Sequence, residues 1–196
     1  PTAQQALNRI PPIVQAQIIF TAIQGTQFVT GVQLGGGWEA VNSGFADPPQ
    51  STEQILHPEK YASREAPITV DLPADLAKRM GSGWSTVMSD TMGEHQTAIW
   101  LGSGTVAAAT DASAGWGGDR ITYLSGPSGS WAIAWHTVWD TKADAAEFEV
   151  TAKTAVEKAG GPGQVLPGEG GTTRWVVIGS DDAALQKVAN VLGLAG

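Results

Sequence analysis

The sequence predicts an α+β fold, with a mostly helical N-terminal half followed by a ββαβα C-terminal half and a small antiparallel sheet. Apolar residues recur at helical spacing between residues 10 and 28, whereas they alternate with a period of two between residues 130 and 139. Glycine and proline separate this second segment from the strand before it, as in a β-hairpin. We expect a mainly helical portion, residues 1–114, and a ββαβα portion, residues 115–196, to pack as one compact unit.

Glycine and proline divide the first 60 residues into helices. Because proline is tolerated in the first turn of a helix, Pro11 and Pro12 separate a short first helix from a second one. The triplet at residues 35–37 ends the second helix, and a short helical stretch follows it. Ser51 caps another short helix, which we expect His57 and the next proline to end.

The middle of the chain predicts one strand and two helices before the hairpin. Residues 68–72 form an apolar strand between two prolines, and Asp90 or Thr91 can cap a helix that runs to Leu101. A helix of small residues covers 105–114, and a glycine-rich turn leads from it into the next strand. The last 80 residues then continue with strands over 120–124 and 130–139, a helix over 143–158, a loop over 160–171, a strand over 173–178 and a helix over 181–192.

The second hairpin strand predicts a sheet with two different faces. Because side chains alternate along a strand, Trp131, Ile133 and Trp135 share one face, and Ala132 and Ala134 share the other. The chain contains eight tryptophans, and we expect most of them to fill the core. The alternative is an aromatic groove for a peptide or a sugar.

Composition excludes several classes of function. With 19 acidic and 11 basic residues, the formal net charge of −8 repels phosphate backbones and anionic lipid surfaces, so we expect no nucleic-acid partner. The absence of cysteine removes disulfides and thiolate chemistry. No apolar run has the length of a membrane span, so we expect no membrane insertion. Low lysine and abundant small residues suit an extracellular or cell-surface protein.

No catalytic or metal-binding constellation is complete in the sequence. The three histidines, His57, His95 and His136, do not share a helix at ligand spacing, and no serine lies in a nucleophile elbow. The sequence therefore predicts no catalytic residue, no metal site and no cofactor. Glu94, like the other acids beside aromatic or glycine-rich segments, is a carboxylate whose pKa partial burial would raise.

The candidate binding residues are five side chains: Trp116, Asp119, Arg120, Glu94 and His57. The first three lie in the glycine-rich turn before the hairpin. We interpret that turn as a tight loop that the adjacent acid and arginine hold in place, with Glu94 or Asp140 as the carboxylate partner of the arginine. A ligand-binding loop is the alternative.

Several motifs along residues 18–148 carry a family resemblance: Gly36-Gly37-Trp38-x-Ala40-Val41-Asn42, Pro48-Pro49-x-Ser51-Thr52-Glu53-Gln54-Ile55-Leu56-His57-Pro58, Gly93-Glu94, Gly115-Trp116-Gly117-Gly118-Asp119-Arg120 and Trp135-x-x-x-Trp139-Asp140-Thr141. Together they resemble the C-terminal half of secreted zinc-metallopeptidase-like proteins of bacteria and archaea. The resemblance implies that the metal-binding His-Glu-x-x-His helix and a further acidic ligand lie upstream of this region, so no peptidase residue carries over to this sequence.

The leading hypothesis is therefore a non-catalytic extracellular domain that acts in binding or assembly. One alternative is a processed part of a zinc metallopeptidase, completed by a missing N-terminal segment. Another is a self-assembling surface protein, which low charge and abundant glycine and alanine favour. The expected partners are accordingly an N-terminal metallopeptidase segment or copies of this chain, and whether the protein takes part in catalysis stays open.

Overall fold

The computed structural model describes residues 10–102 and 109–194, and it confirms the α+β class. The helices of the described residues are α1 (Pro12–Ala46), α2 (Thr52–Leu56), α3 (Pro58–Ala62), α4 (Leu76–Met80), α5 (Gly93–Gly102), α6 (Ala109–Ser113), α7 (Lys142–Val156) and α8 (Asp182–Val191). The strands are β1 (Ser85–Asp90), β2 (Trp116–Ser125), β3 (Trp131–Trp139), β4 (Gly163–Pro167) and β5 (Thr173–Gly179).

The strands form one five-stranded sheet with the order β1-β2-β3-β5-β4. All four pairings are antiparallel. In the predicted hairpin, Tyr123 of β2 lies opposite Ile133 of β3. Because β3 pairs with β2 on one side and β5 on the other, it is the central strand of the sheet.

Helices cover both faces of this sheet, and the predicted division of the β3 side chains is confirmed. On one face, Trp135 and Trp139 pack in a cluster with Phe148 of α7 and with α5. On the opposite face, Ala132 and Ala134 pack in a second cluster with α4 and α8. The large side chains thus lie under the longer helix α7, and the alanines leave room for α8 to approach the sheet.

Three of the predicted helices begin at side-chain caps. Ser51 Oγ accepts a hydrogen bond from the Gln54 backbone N–H at 3.2 Å. At α7, Thr141 and Asp144 form a reciprocal capping box. At α8, Asp181 accepts from the backbone N–H of Ala184 at 2.8 Å. These bonds satisfy N–H groups that have no partner inside the helix.

Two predicted helix ends are confirmed. At residues 35–37, Gly36 and Gly37 leave helical geometry and Gly37 takes a φ of +65°, so α1 consists of two helical segments joined at a kink. Helix α2 ends at Leu56 with His57 as its C-cap, and Pro58 then occupies the first turn of the separate helix α3. The predicted helix before Pro11 and part of the one over 105–114 lie outside the described residues.

The strand predictions need three corrections. Residues 68–72 are not a strand: Ile68 donates one backbone hydrogen bond to Gly117, and the flanking prolines cannot extend the pairing.

Two strands were missed, β1 and β4, which are the edges of the sheet. All β1 side chains are exposed, so β1 has no alternation, while β4 lies in the predicted loop and begins with Gly163. The C-terminal order is therefore ββαββα.

Candidate functional site

The acid of the glycine-rich turn is a buried hydrogen-bond acceptor. Asp119 is 2% exposed. Its Oδ1 accepts from the Gly93 backbone N–H and from Trp116 Nε1, and its Oδ2 accepts from the Met92 backbone N–H and Trp135 Nε1, each at 2.9 Å. Burial raises the pKa of Asp119, and these four donors oppose that shift.

Asp119 joins β2, β3 and the start of α5. Its carboxylate accepts from the backbone N–H of Gly93, the first residue of α5, and from that of Met92 just before it; such N–H groups have no partner inside the helix, and a negative charge is favourable there. Gly118 lets the chain before α4 pass close to this turn, because an added Cβ would collide with the Ile68 carbonyl oxygen. These contacts favour the structural interpretation of the turn over the ligand-loop alternative.

The predicted carboxylate partners of Arg120 are wrong. Its Nε donates to the Val70 carbonyl oxygen at 3.3 Å, whereas Glu94 contacts His57 and Asp140 contacts Lys60. The reason is strand geometry, because consecutive side chains of β2 point to opposite faces and only the acid faces α5. Arg120 instead borders an open groove of about 380 Å³ that Trp116 and Asp119 also line.

Glu94 and His57, two of the predicted residues, are brought together. Glu94 is 3% exposed, and its Oε1 lies 2.9 Å from Nε2 of His57. Its Oε2 is buried and has no hydrogen-bond partner in residues 10–102 and 109–194. On the other side of the imidazole, Nδ1 lies 3.7 Å from Oε1 of Glu59, a side chain that is 74% exposed. Burial raises the pKa of Glu94 to about 7, although the contact with His57 lowers it.

Sequence reasoning missed two residues that complete this site. Glu94 lines a cavity of about 420 Å³ between α1, α2, α5 and α6, together with His95 and Gln24. The His95 ring stacks on Phe20 with centroids 4.0 Å apart. His95 Nε2 and Gln24 Oε1 are both buried and lack a partner in the described part of the chain. No sequence signal pairs a glutamine of α1 with a histidine about 70 positions later.

A second carboxylate cluster already holds a cation. Oxygen atoms of Glu53, Glu65 and Asp140 lie within 4.8 Å of one another, a spacing that suits a metal ion. However, Lys60 Nζ lies 2.7, 2.9 and 2.6 Å from them, respectively. Burial lowers the pKa of Lys60, but these hydrogen bonds outweigh that effect and raise it. We interpret this cluster as an ion-pair network that ties α2 and α3 to the end of β3.

Glu94→Gln is expected to remove part of the pH dependence of stability. The pKa of Glu94 rises from 4.5 to about 7 on folding, so its contribution is full below pH 4.5 and is lost as the pH rises through 7. Relative to wild type, the variant should gain about 3 kcal/mol in the free energy of unfolding between pH 4.5 and pH 8. Urea denaturation at both pH values measures this gain.

The matched control is Glu147→Gln, which changes an exposed glutamate of α7 in the same way. This control should follow the wild-type pH dependence. A Glu94→Gln curve that stays parallel to wild type between the two pH values would contradict the raised pKa of Glu94.

One comparison with known proteins gives a match. Residues 78–190 match a family described as Domain of unknown function (DUF8575). This region holds the whole sheet with Glu94 and Asp119, whereas α1, α2, α3 and His57 lie before it. No curated protein and no solved structure matches the chain. The resemblance to zinc-metallopeptidase-like proteins therefore stays a prediction.

Proposed function

The chain belongs to the family described as Domain of unknown function (DUF8575), and we propose that it is a non-catalytic binding and assembly module. Its binding element is α1, which docks against a second, different polypeptide. The observation that carries this proposal is the exposure of large apolar side chains along α1. A role outside the cell is part of the same proposal and rests on composition alone.

The exposed apolar residues are concentrated on α1. Monomeric proteins seldom expose extended apolar patches, and such patches mark interaction sites. Residues 12–38 contain no charged side chain. The large apolar residues of α1 that are more than a third exposed are Ile13, Val14, Ile18, Ile19, Ile23, Val29, Leu34, Trp38 and Phe45.

Apolar side chains lie on both flanks of α1, not in one stripe. Phe20 and Phe28 are buried and define the inward face. At about 100° per residue, Ile18 lies on one flank of that face, whereas Ile19 and Ile23 lie on the opposite flank. A helix that is apolar on all sides is typical of a buried helix.

This distribution favours a different polypeptide over a copy of this chain. A two-fold contact between copies of α1 would cover one flank and leave the other in water. Apolar elements of another polypeptide, lying on two sides of α1, would cover both flanks. Separately, no helix in the described ranges combines the length and hydropathy needed to cross a bilayer.

The position of α1 in the chain agrees with a docking role. It lies before residues 78–190, the region that matches the family, and in the described part of the chain neither apolar cluster of the sheet includes a side chain of α1. The resemblance to zinc-metallopeptidase-like proteins implies a separate metal-binding segment. That segment is the first polypeptide to test as the partner.

Photo-crosslinking from α1 tests the proposal in the organism that makes the protein. A photoreactive phenylalanine at position 18 and, separately, at position 23 should capture one and the same polypeptide, because both flanks are covered. The control position is Val150, which is 71% exposed on α7 and should not capture it. With the probe at position 18, Ile23→Glu should reduce the yield at least about tenfold, since a charge would be buried in an apolar interface.

The identity of the captured polypeptide decides the outcome. Mass spectrometry should find a sequence different from this chain, and the purified captured segment should bind the wild-type domain and fail to bind Ile23→Glu. Capture of copies of this chain alone would replace the proposal with self-assembly. Equal yields from positions 18, 23 and 150 would remove α1 as the docking element.

A further inference from the structure

Residues that line the cavity beside Glu94 carry buried polar atoms without hydrogen-bond partners. In the described part of the chain, four buried side-chain N or O atoms have no hydrogen-bond partner, and three of them belong to residues that line this one cavity. They are Glu94 Oε2, His95 Nε2 and Gln24 Oε1. Each such atom destabilises the fold when nothing binds it. Three together indicate a site that a ligand completes.

Two of the three atoms accept hydrogen bonds only. The carboxylate oxygen of Glu94 and the amide oxygen of Gln24 have no proton to donate. Burial lowers the pKa of His95, which favours the neutral imidazole, and the Ala16 backbone opposes that shift. Nε2 of a neutral imidazole accepts a hydrogen bond when the proton is on Nδ1, so the ring can offer a third acceptor to a ligand.

The rest of the lining is small and mostly apolar. Leu56, Ala98 and Ile99 line the cavity, and Asp111, an exposed residue of α6, borders it. The ligand must therefore bring several N–H donors and a positive charge, together with an apolar part. His57 contacts only Oε1 of Glu94, so Oε2 still lacks a donor that the ligand would supply.

We propose that this cavity binds a small organic cation, a primary alkylammonium, with its N–H donors directed at Glu94, His95 and Gln24 and its carbon chain against the apolar wall. A metal ion fits less well. In the ranges that the structure describes, only Glu53, Glu65 and Asp140 lie close enough together to ligate one metal ion, and Lys60 fills that cluster. His57, Glu94 and His95 do not meet that spacing.

Calorimetry with n-butylamine at pH 8 tests the proposal on the full chain. The amine, protonated at that pH, should bind and raise the melting temperature. Glu94→Gln should weaken its affinity about 10- to 100-fold, the effect of losing a charge-assisted hydrogen bond. Gln24→Leu removes a neutral acceptor and should weaken it about three- to tenfold. Glu147→Gln, on the exposed face of α7, should leave the affinity unchanged.

Two further ligands separate the proposal from its competitors. n-Butanol has the same carbon chain without the ammonium group, so it should bind at least about tenfold more weakly. Equal binding of n-butanol would show an apolar cavity without cation recognition. Zinc that binds wild type but not Glu94→Gln, without binding of the amine, would show a metal site instead. Binding of neither the amine nor zinc would overturn the proposal, as would full affinity in both cavity variants.

Discussion

Asp119→Asn is expected to lower the free energy of unfolding by about 3–6 kcal/mol, which is a large effect for one nearly isosteric change. Each carboxylate oxygen of Asp119 accepts two N–H groups, so no position around it suits a donor. An asparagine NH₂ group would face two N–H donors, and both of those donors would lose their acceptor. Because the site is buried, water cannot replace the lost bonds.

Equilibrium urea denaturation of wild type and variant measures this loss, and Arg120→Lys is the matched control at the next position. Arg120 makes one long hydrogen bond through Nε, so its replacement should cost less than about 1 kcal/mol. Similar losses in the two variants would contradict the assignment of Asp119 as the anchor of the turn. A loss in Asp119→Asn below that of the control would contradict it as well.

Some of the fold followed from the sequence because local patterns and tertiary packing agree there. The alternation along β3 predicted which side chains share a face, because both faces of this central strand are covered, and the structure places one set against α7 and the other against α8. The helix caps at Ser51 and Asp181 were predictable because capping is a local interaction. The edge strand β1 could not be predicted in this way. It buries none of its side chains, so its apolar and polar residues do not alternate.

The sequence identified individual residues of the candidate site but did not predict which of them contact one another. Glu94 and His57 were both identified, but their contact spans 37 positions and depends on how α2 packs against α5. Arg120 was assigned carboxylate partners by chemical type alone, and both of those carboxylates are bound by other residues. Gln24 carries no charge or motif, so only the structure shows that it lines the same cavity as Glu94.

The two proposals use different faces of α1 and can be tested separately. Gln24 lines the cavity on the inward side, and Ile23, the preceding residue, points about 100° away along the exposed flank. A substitution at Gln24 should therefore change amine binding and leave docking intact. Ile23→Glu should have the opposite pattern, so failure of one proposal would not imply failure of the other.

Trp135→Ala is expected to lower the free energy of unfolding by about 3–5 kcal/mol, because Trp135 is at the centre of the larger apolar cluster. It is 2% exposed and makes edge contacts with the rings of Trp100 and Phe148, with centroids 5.0 and 5.7 Å away. Its indole N–H is also one of the four donors to Asp119. The alanine variant therefore loses packing, ring contacts and a hydrogen bond together.

Trp135→Phe separates these contributions, since phenylalanine keeps an aromatic ring in the cluster but has no N–H group. It should cost about 1–2 kcal/mol, mainly the hydrogen bond to Asp119, and the remainder of the alanine loss measures packing. Trp38→Ala is the control, because Trp38 is 69% exposed on α1 and should change stability by less than about 0.5 kcal/mol in the isolated chain. If Trp135→Ala cost no more than this control, the tryptophan would belong to a binding surface and not to the core.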